Sequence, residues 1–463
     1  MSSPLPAEGG QPNIVFVLAD NVGWGDFSCY GGTTATPRFD KLAGEGIRFT
    51  NYTVESQCTP TRTAILTGRQ SVRCGTYTVV PGQGKSGLTP WEYTIAELLS
   101  DAGYATSCYG KWHLGDTEGR LPTDQGFDEW WGYKNSADEC GFTSYATYNA
   151  IIKAKGLESP KIWEGFKGEN SIAVRELDME VRPLLDELIV AKATDYIKRR
   201  AKGGEPFFTY VALSHIHAPE KAHPDFDQTD PTRMGLYADL IAETDHRVGQ
   251  IVDAVDEAGI ADTTIIVFSS DNATCNVPAF GFGGSNGPWR GDFFTPPTEG
   301  SMRTAAIVRC PGTVPAGVIS EEMLSAHDWY KTFAAFAGAS DKVPNDRPMD
   351  GVDASEFLRG ESARTGRESL LFFGPDGSLM SVKYHNIKIW FRYSEAIDKP
   401  IVSPQFPMIF DLGSDPGERS NLFAARMDGT WMFEFVLPFL ADYEKSIAQY
   451  PNIKPGQEFT GYN

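Results

Sequence analysis

Three stretches of the chain are apolar almost throughout: residues 13–19 (NIVFVLA), 207–213 (FFTYVAL) and 263–269 (TTIIVFS). Runs of this length without polar alternation mark strands buried on both faces, as in a parallel sheet covered by helices. Residues 104–109 read as a fourth such strand, because they follow a predicted helix at 95–102 that Thr94 caps and Gly103 closes. Helical spacing predicts further helices at 37–45, at 186–202, where basic last turns precede Gly203-Gly204, and at 235–258. Residues 47–50 read as a short strand leading to Cys58, at the mouth of a helix with Pro60 in its first turn and Thr63 to Leu66 continuing it. The aromatic, glycine-rich region 119–170 lacks periodicity and reads as long, partly irregular loops over the sheet edge. Beyond Asp350-Gly351-Val352-Asp353 the pattern changes to short strands at 369–373, 378–384, 387–392 and 408–412, with turns such as Pro375-Asp376-Gly377 between them. A helix at 430–449 follows. The pattern predicts an α/β protein with a large domain over residues 1–365 and a smaller antiparallel sheet with a helix over 366–463.

Each buried strand ends in polar residues. The pairs are Asp20 and Asn21, Lys111 and His113, His215 and His217, and Asp271 and Asn272. An Asp-Asn pair after a strand is more often a turn, and a lone histidine more often a structural one. Four such ends at one edge of a sheet point instead to a site, since ligands in open α/β sheets bind beyond the carboxyl ends of the strands. Carboxylate and amide oxygens are hard ligands, suited to Ca²⁺ or Mg²⁺ rather than zinc. Cys58 lies at the mouth of its helix, where free N–H groups favour an anion, and Arg62 one turn along adds a fixed cation.

Composition narrows the classes. Of 463 residues, 41% are hydrophobic and 22% charged, as in an ordinary globular enzyme. The formal charge of −20 argues against nucleic acid and long polyanions, and requires any anionic substrate to meet a local excess of cations. No apolar run reaches membrane-spanning length. Seven cysteines at 29, 58, 74, 108, 140, 275 and 310 show no CxxC spacing, which speaks against a disulfide framework or structural zinc. The N-terminal decapeptide lacks a basic start and an apolar run, so a cytoplasmic location is expected, or a periplasmic or secreted one if a leader has been removed. A homo-oligomer is left open.

Cys58-Thr59-Pro60-Thr61-Arg62, followed by Leu66-Thr67-Gly68-Arg69, resembles the signature of the formylglycine-dependent (type I) sulfatases of the alkaline phosphatase superfamily. Gly110-Lys111-Trp112-His113-Leu114-Gly115 resembles the family's second signature, His217-Ala218-Pro219 its histidine-x-proline element, and Asp411-Leu412 with Asp415-Pro416 and Asn421-Leu422 its C-terminal sequence. The resemblance implies an alkaline-phosphatase-like fold, with a large mixed, mostly parallel sheet between helices. It also implies conversion of Cys58 to formylglycine by a maturation enzyme, and hydrolysis of a small organic sulfate ester. In that scheme one hydroxyl of the hydrated aldehyde attacks sulfur and the other expels sulfate. Asp20, Asn21, Asp271 and Asn272, with the modified Cys58, are implied as ligands of Ca²⁺, with Mg²⁺ or Mn²⁺ as alternatives. Catalytic roles are implied for Cys58, Arg62, Lys111, His113 (base) and His217 (acid). His215, two residues from His217 on an extended segment and so on the same side, reads as a secondary substrate contact.

Three positions depart from the family pattern. Gln57 and Tyr109 replace small residues, and Asn21 replaces an aspartate, lowering the negative charge by one. Moreover, residues 289–300 hold no lysine where the family binds sulfate with one, leaving Arg290 or Arg303 as the substitute cation. A phosphonate monoester or phosphodiester hydrolase using the same nucleophile is the rival reading within enzymes, and a catalytically silent binding protein the rival outside them.

Overall fold

The computed structural model describes residues 10–79, 86–145, 147–156, 159–233, 235–275, 283–425 and 427–462. The N-terminal segment read for a leader, and Gly281 and Phe282 of a glycine-rich loop, lie outside the described residues.

Eleven strands form the main sheet. They are β1 (Asn13–Ala19), β2 (Ile47–Thr53), β3 (Ala105–Lys111), β4 (Glu129–Tyr133), β5 (Lys161–Phe166), β6 (Ile172–Glu176), β7 (Phe207–Ala212), β8 (Thr264–Ser270), β9 (Arg303–Arg309), β10 (Val318–Ser320) and β11 (Leu324–Ser325). Their order is β10-β2-β9-β8-β1-β7-β3-β4-β5-β6, with β11 also on β2. The strands β8-β1-β7-β3-β4 run parallel, while β9, β5 and β6 pair antiparallel with their neighbours. The sheet is therefore mixed and mostly parallel at its centre.

The period of two in β1 explains why the run is apolar throughout. Ile14, Phe16 and Leu18 face one core with Trp329 and Phe333, while Val15, Val17 and Ala19 face the other with Leu240 and Ile251. The second face is covered by the helices Pro37–Gly44, Leu185–Gly203 and Leu236–Glu257. The first takes Cys58–Thr67, Ile95–Asp101 and Asp328–Phe336. Thr94 caps Ile95–Asp101 with a full capping box closed by Glu97. Gly110 and Gly132 have no alternative in β3 and β4: a Cβ at Gly110 would stand 1.8 Å from Ala212 O, and one at Gly132 would stand 1.9 Å from Gly110 O.

The region 119–170 differs from expectation. Instead of irregular loops, Glu129–Tyr133 and Lys161–Phe166 extend the sheet, because Trp130, Trp131 and Tyr133 bury well on a pleated surface.

A second, antiparallel sheet follows: β12 (Ser369–Phe373), β13 (Leu379–Tyr384), β14 (Ile387–Trp390) and β15 (Met408–Asp411). Val382, Ile389 and Ile409 pack on Val436 of the helix Phe433–Gln449. A buried ionic cluster ties this sheet to the main one. Glu299 pairs with Arg303, with Lys383 at 2.9 Å and with Lys388 at 2.7 Å. Burial opposes the charge on Glu299, yet these three cations outweigh it and hold the carboxyl well below its usual range.

Candidate active site

The polar ends of β1, β3, β7 and β8 meet at one edge, locked by backbone hydrogen bonds. Asp20 N donates to His215 O (2.8 Å), Ile216 N to Asp20 O (2.5 Å) and Asp271 N to Ala19 O (3.0 Å). Asn21 and His113 adopt left-handed backbone conformations with φ of 66° and 60°. Such conformations cost a non-glycine residue on the order of 1–3 kcal/mol and persist where the surroundings enforce them.

Cys58 is the first residue of its helix, which Gly68 closes with φ 66°. Arg62, one turn along and fully buried, grips Asp271 Oδ2 through Nη2 (2.7 Å) and Nε (3.2 Å), and donates to Lys111 O at 2.8 Å. Lys111 Nζ lies 2.7 Å from Asp20 Oδ2. Thr59 Oγ1 donates to His113 O at 2.9 Å, fixing the histidine to the cysteine helix. Donor atoms of Asp20, Cys58 and His217 all lie within 4.8 Å of one another.

Two carboxylates here face two permanent cations in a site almost sealed from solvent. Burial opposes the charge on Asp20, but Lys111, His217 and Arg62 overcome it and hold its carboxyl at about 2. Asp271 goes the other way: burial and the adjacent Asp20 charge push it up to about 6, against Arg62 and Lys111. Burial, with the charges of Lys111 and Arg62, drives His113 well below its usual range and keeps it neutral. His217 is lowered by burial, with Asp20 opposing. Burial pushes the Cys58 thiol up to about 12 despite Lys111, so the thiol itself is a poor nucleophile at neutral pH.

The residues present fit a hard divalent cation. Asp20 Oδ1 and Asn272 Oδ1 are buried and have no hydrogen-bond partner among the described residues, an arrangement that is costly unless a further group accepts those lone pairs. Asn272 Nδ2 donates to Asn21 Oδ1, and Asn21 N to Asp271 Oδ1 at 3.3 Å, while Arg62 Nη2 stands between Asp271 (2.7 Å) and Asp20 (3.8 Å), so the four residues are linked. A dication would leave the pocket with a net positive charge suited to an anionic ester.

Three sequence-predicted contacts lie elsewhere. His215 is fully buried with Nδ1 3.2 Å from Asp186 and Nε2 3.7 Å from Glu243, in place of the substrate contact expected of it. Arg290 donates to Glu418 O at 3.1 Å and stacks over Trp390. Arg303 pairs with Glu299, donates to Thr50 O at 3.0 Å and lies over Trp289 at 3.8 Å. Arg303 is claimed by the ionic cluster and Arg290 by the Glu418 backbone carbonyl and the Trp390 ring, so both arginines are engaged at the second sheet.

Other residues of the site carried no sequence signal. Ser136 Oγ is 3.2 Å from His217 Nε2, and Asp138 is 4.0 Å from His217 Nδ1. Asp186 accepts from the amides of Ser214 (2.6 Å) and His215 (3.0 Å), and Arg182 donates to His217 O at 2.5 Å. All four act across tertiary distance from segments without a motif.

Residues 12–339 match the sulfatase family model. The canine N-acetylgalactosamine-6-sulfatase is 32% identical over 480 residues, covering 96% of this chain and 87% of the relative. Rat arylsulfatase G is 33% identical over 472 residues, covering 95% and 88%. Among solved structures, the PsFucS1 sulfatase from Pseudoalteromonas sp. superposes with a TM-score of 0.85 at 27% identity, covering 96% and 92%. With the polar strand ends gathered about Cys58 and this likeness running nearly the length of the chain, the protein belongs to the sulfatase family and is a sulfuric ester hydrolase.

Proposed function

We propose that the enzyme hydrolyses a small organic sulfate monoester, using formylglycine made from Cys58 by a maturation enzyme and a divalent cation, Ca²⁺ by preference. The observation that carries this reading is the meeting of the buried Cys58, the Asp20 carboxylate and the His217 imidazole within 4.8 Å, with Lys111 bonded to Asp20 and Arg62 to Asp271 beside them. Asp20, Asn21, Asp271 and Asn272 would hold the cation. The cation supplies Lewis acidity, and the hydrated aldehyde the attacking oxygen. The protonated thiol supports the same view, since an unmodified Cys58 would be inert.

The chain's own residues do the rest. Lys111 keeps its proton because the Asp20 carboxylate outweighs the burial that opposes its charge, so it offers a permanent ammonium to the sulfate oxygens. Arg62 holds Asp271 in place and contributes a second positive charge. His113, neutral, is able to accept the proton released at position 58. His217 gains proton affinity when an anionic ester binds, and so donates to the departing alcohol oxygen. The likeness to an N-acetylgalactosamine-6-sulfatase and to arylsulfatase G supports a sulfate ester as substrate.

The test is a paired assay on protein matured to the aldehyde, with 4-nitrophenyl sulfate and 4-nitrophenyl phenylphosphonate. A higher kcat/KM for the sulfate is expected. The reverse order supports the phosphonate monoester reading, and turnover of neither supports a silent binding protein.

A further inference from the structure

A cavity of about 280 Å³ lies beside the catalytic histidines, lined by Asp116, Tyr133, Lys134, Asn135, Glu139 and Trp163 among others. Its wall is built from the segment that holds those histidines. Lys134 O accepts from His113 N at 2.8 Å, Ser136 touches His217, and Asp138 stands 4.0 Å from the same ring.

The charges in this wall are unevenly committed. Lys134 Nζ lies 3.8 Å from the Trp163 ring centroid and donates to Asp116 O at 3.2 Å, and Lys161 is paired with Glu176 at 2.8 Å. The acids Asp116 and Glu139 line the cavity, with Asp138 next to them. Burial and the Asp138 charge push Glu139 up to about 7, so near neutrality it is about half ionised, keeping negative charge in the wall while also able to hydrogen-bond a hydroxyl. Tyr133 carries a buried hydroxyl, and Asn135 a buried Oδ1, with no hydrogen-bond partner among the described residues. Such a wall suits hydroxyl groups, which donate and accept in turn. It does not suit a second anion, because the two ammonium groups are already engaged and carboxylates stand beside them.

We infer that this cavity receives the alcohol part of the ester and selects a neutral, polyhydroxylated ring bearing a single sulfate, with Glu139 the residue that turns away a second anionic group. The inference rests on the sulfatase reading for the position of the ester. It makes Glu139 a specificity-determining residue rather than a catalytic one.

The experiment measures a ratio. Galactose 6-sulfate and galactose 4,6-disulfate are titrated by calorimetry into Cys58→Ala protein and into its Glu139→Gln and Glu139→Lys derivatives. The kcat/KM values for the same two sugars are measured on aldehyde-bearing enzyme with and without Glu139→Gln. The monosulfate is expected to be preferred about tenfold or more, a preference that Glu139→Gln narrows and Glu139→Lys reverses. A purely structural role for Glu139 would weaken both sugars alike and leave the ratio unchanged. Equal affinities for the two sugars, no binding of either, or a ratio indifferent to position 139 overturns the inference. The sulfatase reading fails differently, by absence of turnover of any sulfate ester while the binding ratio still reports on the cavity.

Discussion

Replacing Arg62 by methionine removes two bonds onto Asp271 (2.7 and 3.2 Å) and one onto Lys111 O (2.8 Å), while keeping most of the side chain's apolar length. Asp271 is then left fully buried beside the Asp20 charge. Breaking a buried pair by removing one partner costs about 3–5 kcal/mol. At an unfolding entropy of about 2.1 cal/mol/K per residue, a chain of 463 residues has an entropy near 1 kcal/mol/K, so Tm falls by about 3–5 °C. In an Asp271→Asn background the buried charge is gone. The same change then loses mainly the hydrogen bond to Lys111 O, about 0.5–1.5 kcal/mol. The assay is calorimetric unfolding of the four proteins of this cycle in chelator, so that ion binding does not enter. The sign of the pH effect is fixed as well. Because Arg62 lowers the Asp271 carboxyl, which stands at about 6 with the arginine in place, the variant takes up its proton at higher pH, and the cost of Arg62→Met shrinks as pH falls toward 6. An identical Tm loss with and without the Asp271 carboxylate would refute this reasoning.

Three further outcomes are expected. Cys58→Ala abolishes turnover of any sulfate ester and shifts Tm by no more than about 2 °C, since one buried, uncharged sulfur is lost; activity assays and calorimetry check this. Ca²⁺ at about 1,000 times its Kd raises stability by about 4 kcal/mol, read as a Tm rise, and Asn272→Ala sharply reduces that rise by removing one of the two orphaned oxygens. Asp26, which accepts from Gly23 N, Ser285 N and the Tyr237 hydroxyl, is pushed up to about 7 by burial against those bonds. The folded state therefore holds its proton where the unfolded chain has lost it, so stability falls as pH rises from about 4 to 7, and Asp26→Asn flattens that part of the Tm profile.

The centre of the sheet was legible because β1, β7 and β8 are buried on both faces and so carry unbroken apolar runs. β9 was not, since RTAAIVR begins and ends in arginines, whose charges are neutralised by Glu299 one turn upstream and by Glu45 from far away in the chain. Likewise, the aromatic residues of β4 gave no period of two, because Trp130 and Trp131 bury on opposite faces of the sheet. The polar strand ends and the Cys58 helix could be read locally, as each is a short motif on one element. Ser136, Arg182 and Asp186 act on the His215–His217 segment from 28 or more residues away, and only the folded chain brings them there. The same holds for Arg303, which looked like a free cation in sequence until Glu299 and the second sheet claimed it.

Catalysis is expected to turn on the chemical state of residue 58. Preparations with graded maturation, analysed by mass spectrometry of the peptide containing residue 58 alongside hydrolysis of 4-nitrophenyl sulfate, test it most directly. Turnover is expected to rise in proportion to the aldehyde fraction and to extrapolate to zero for the thiol. A preparation that hydrolyses the ester with residue 58 wholly unmodified would contradict it.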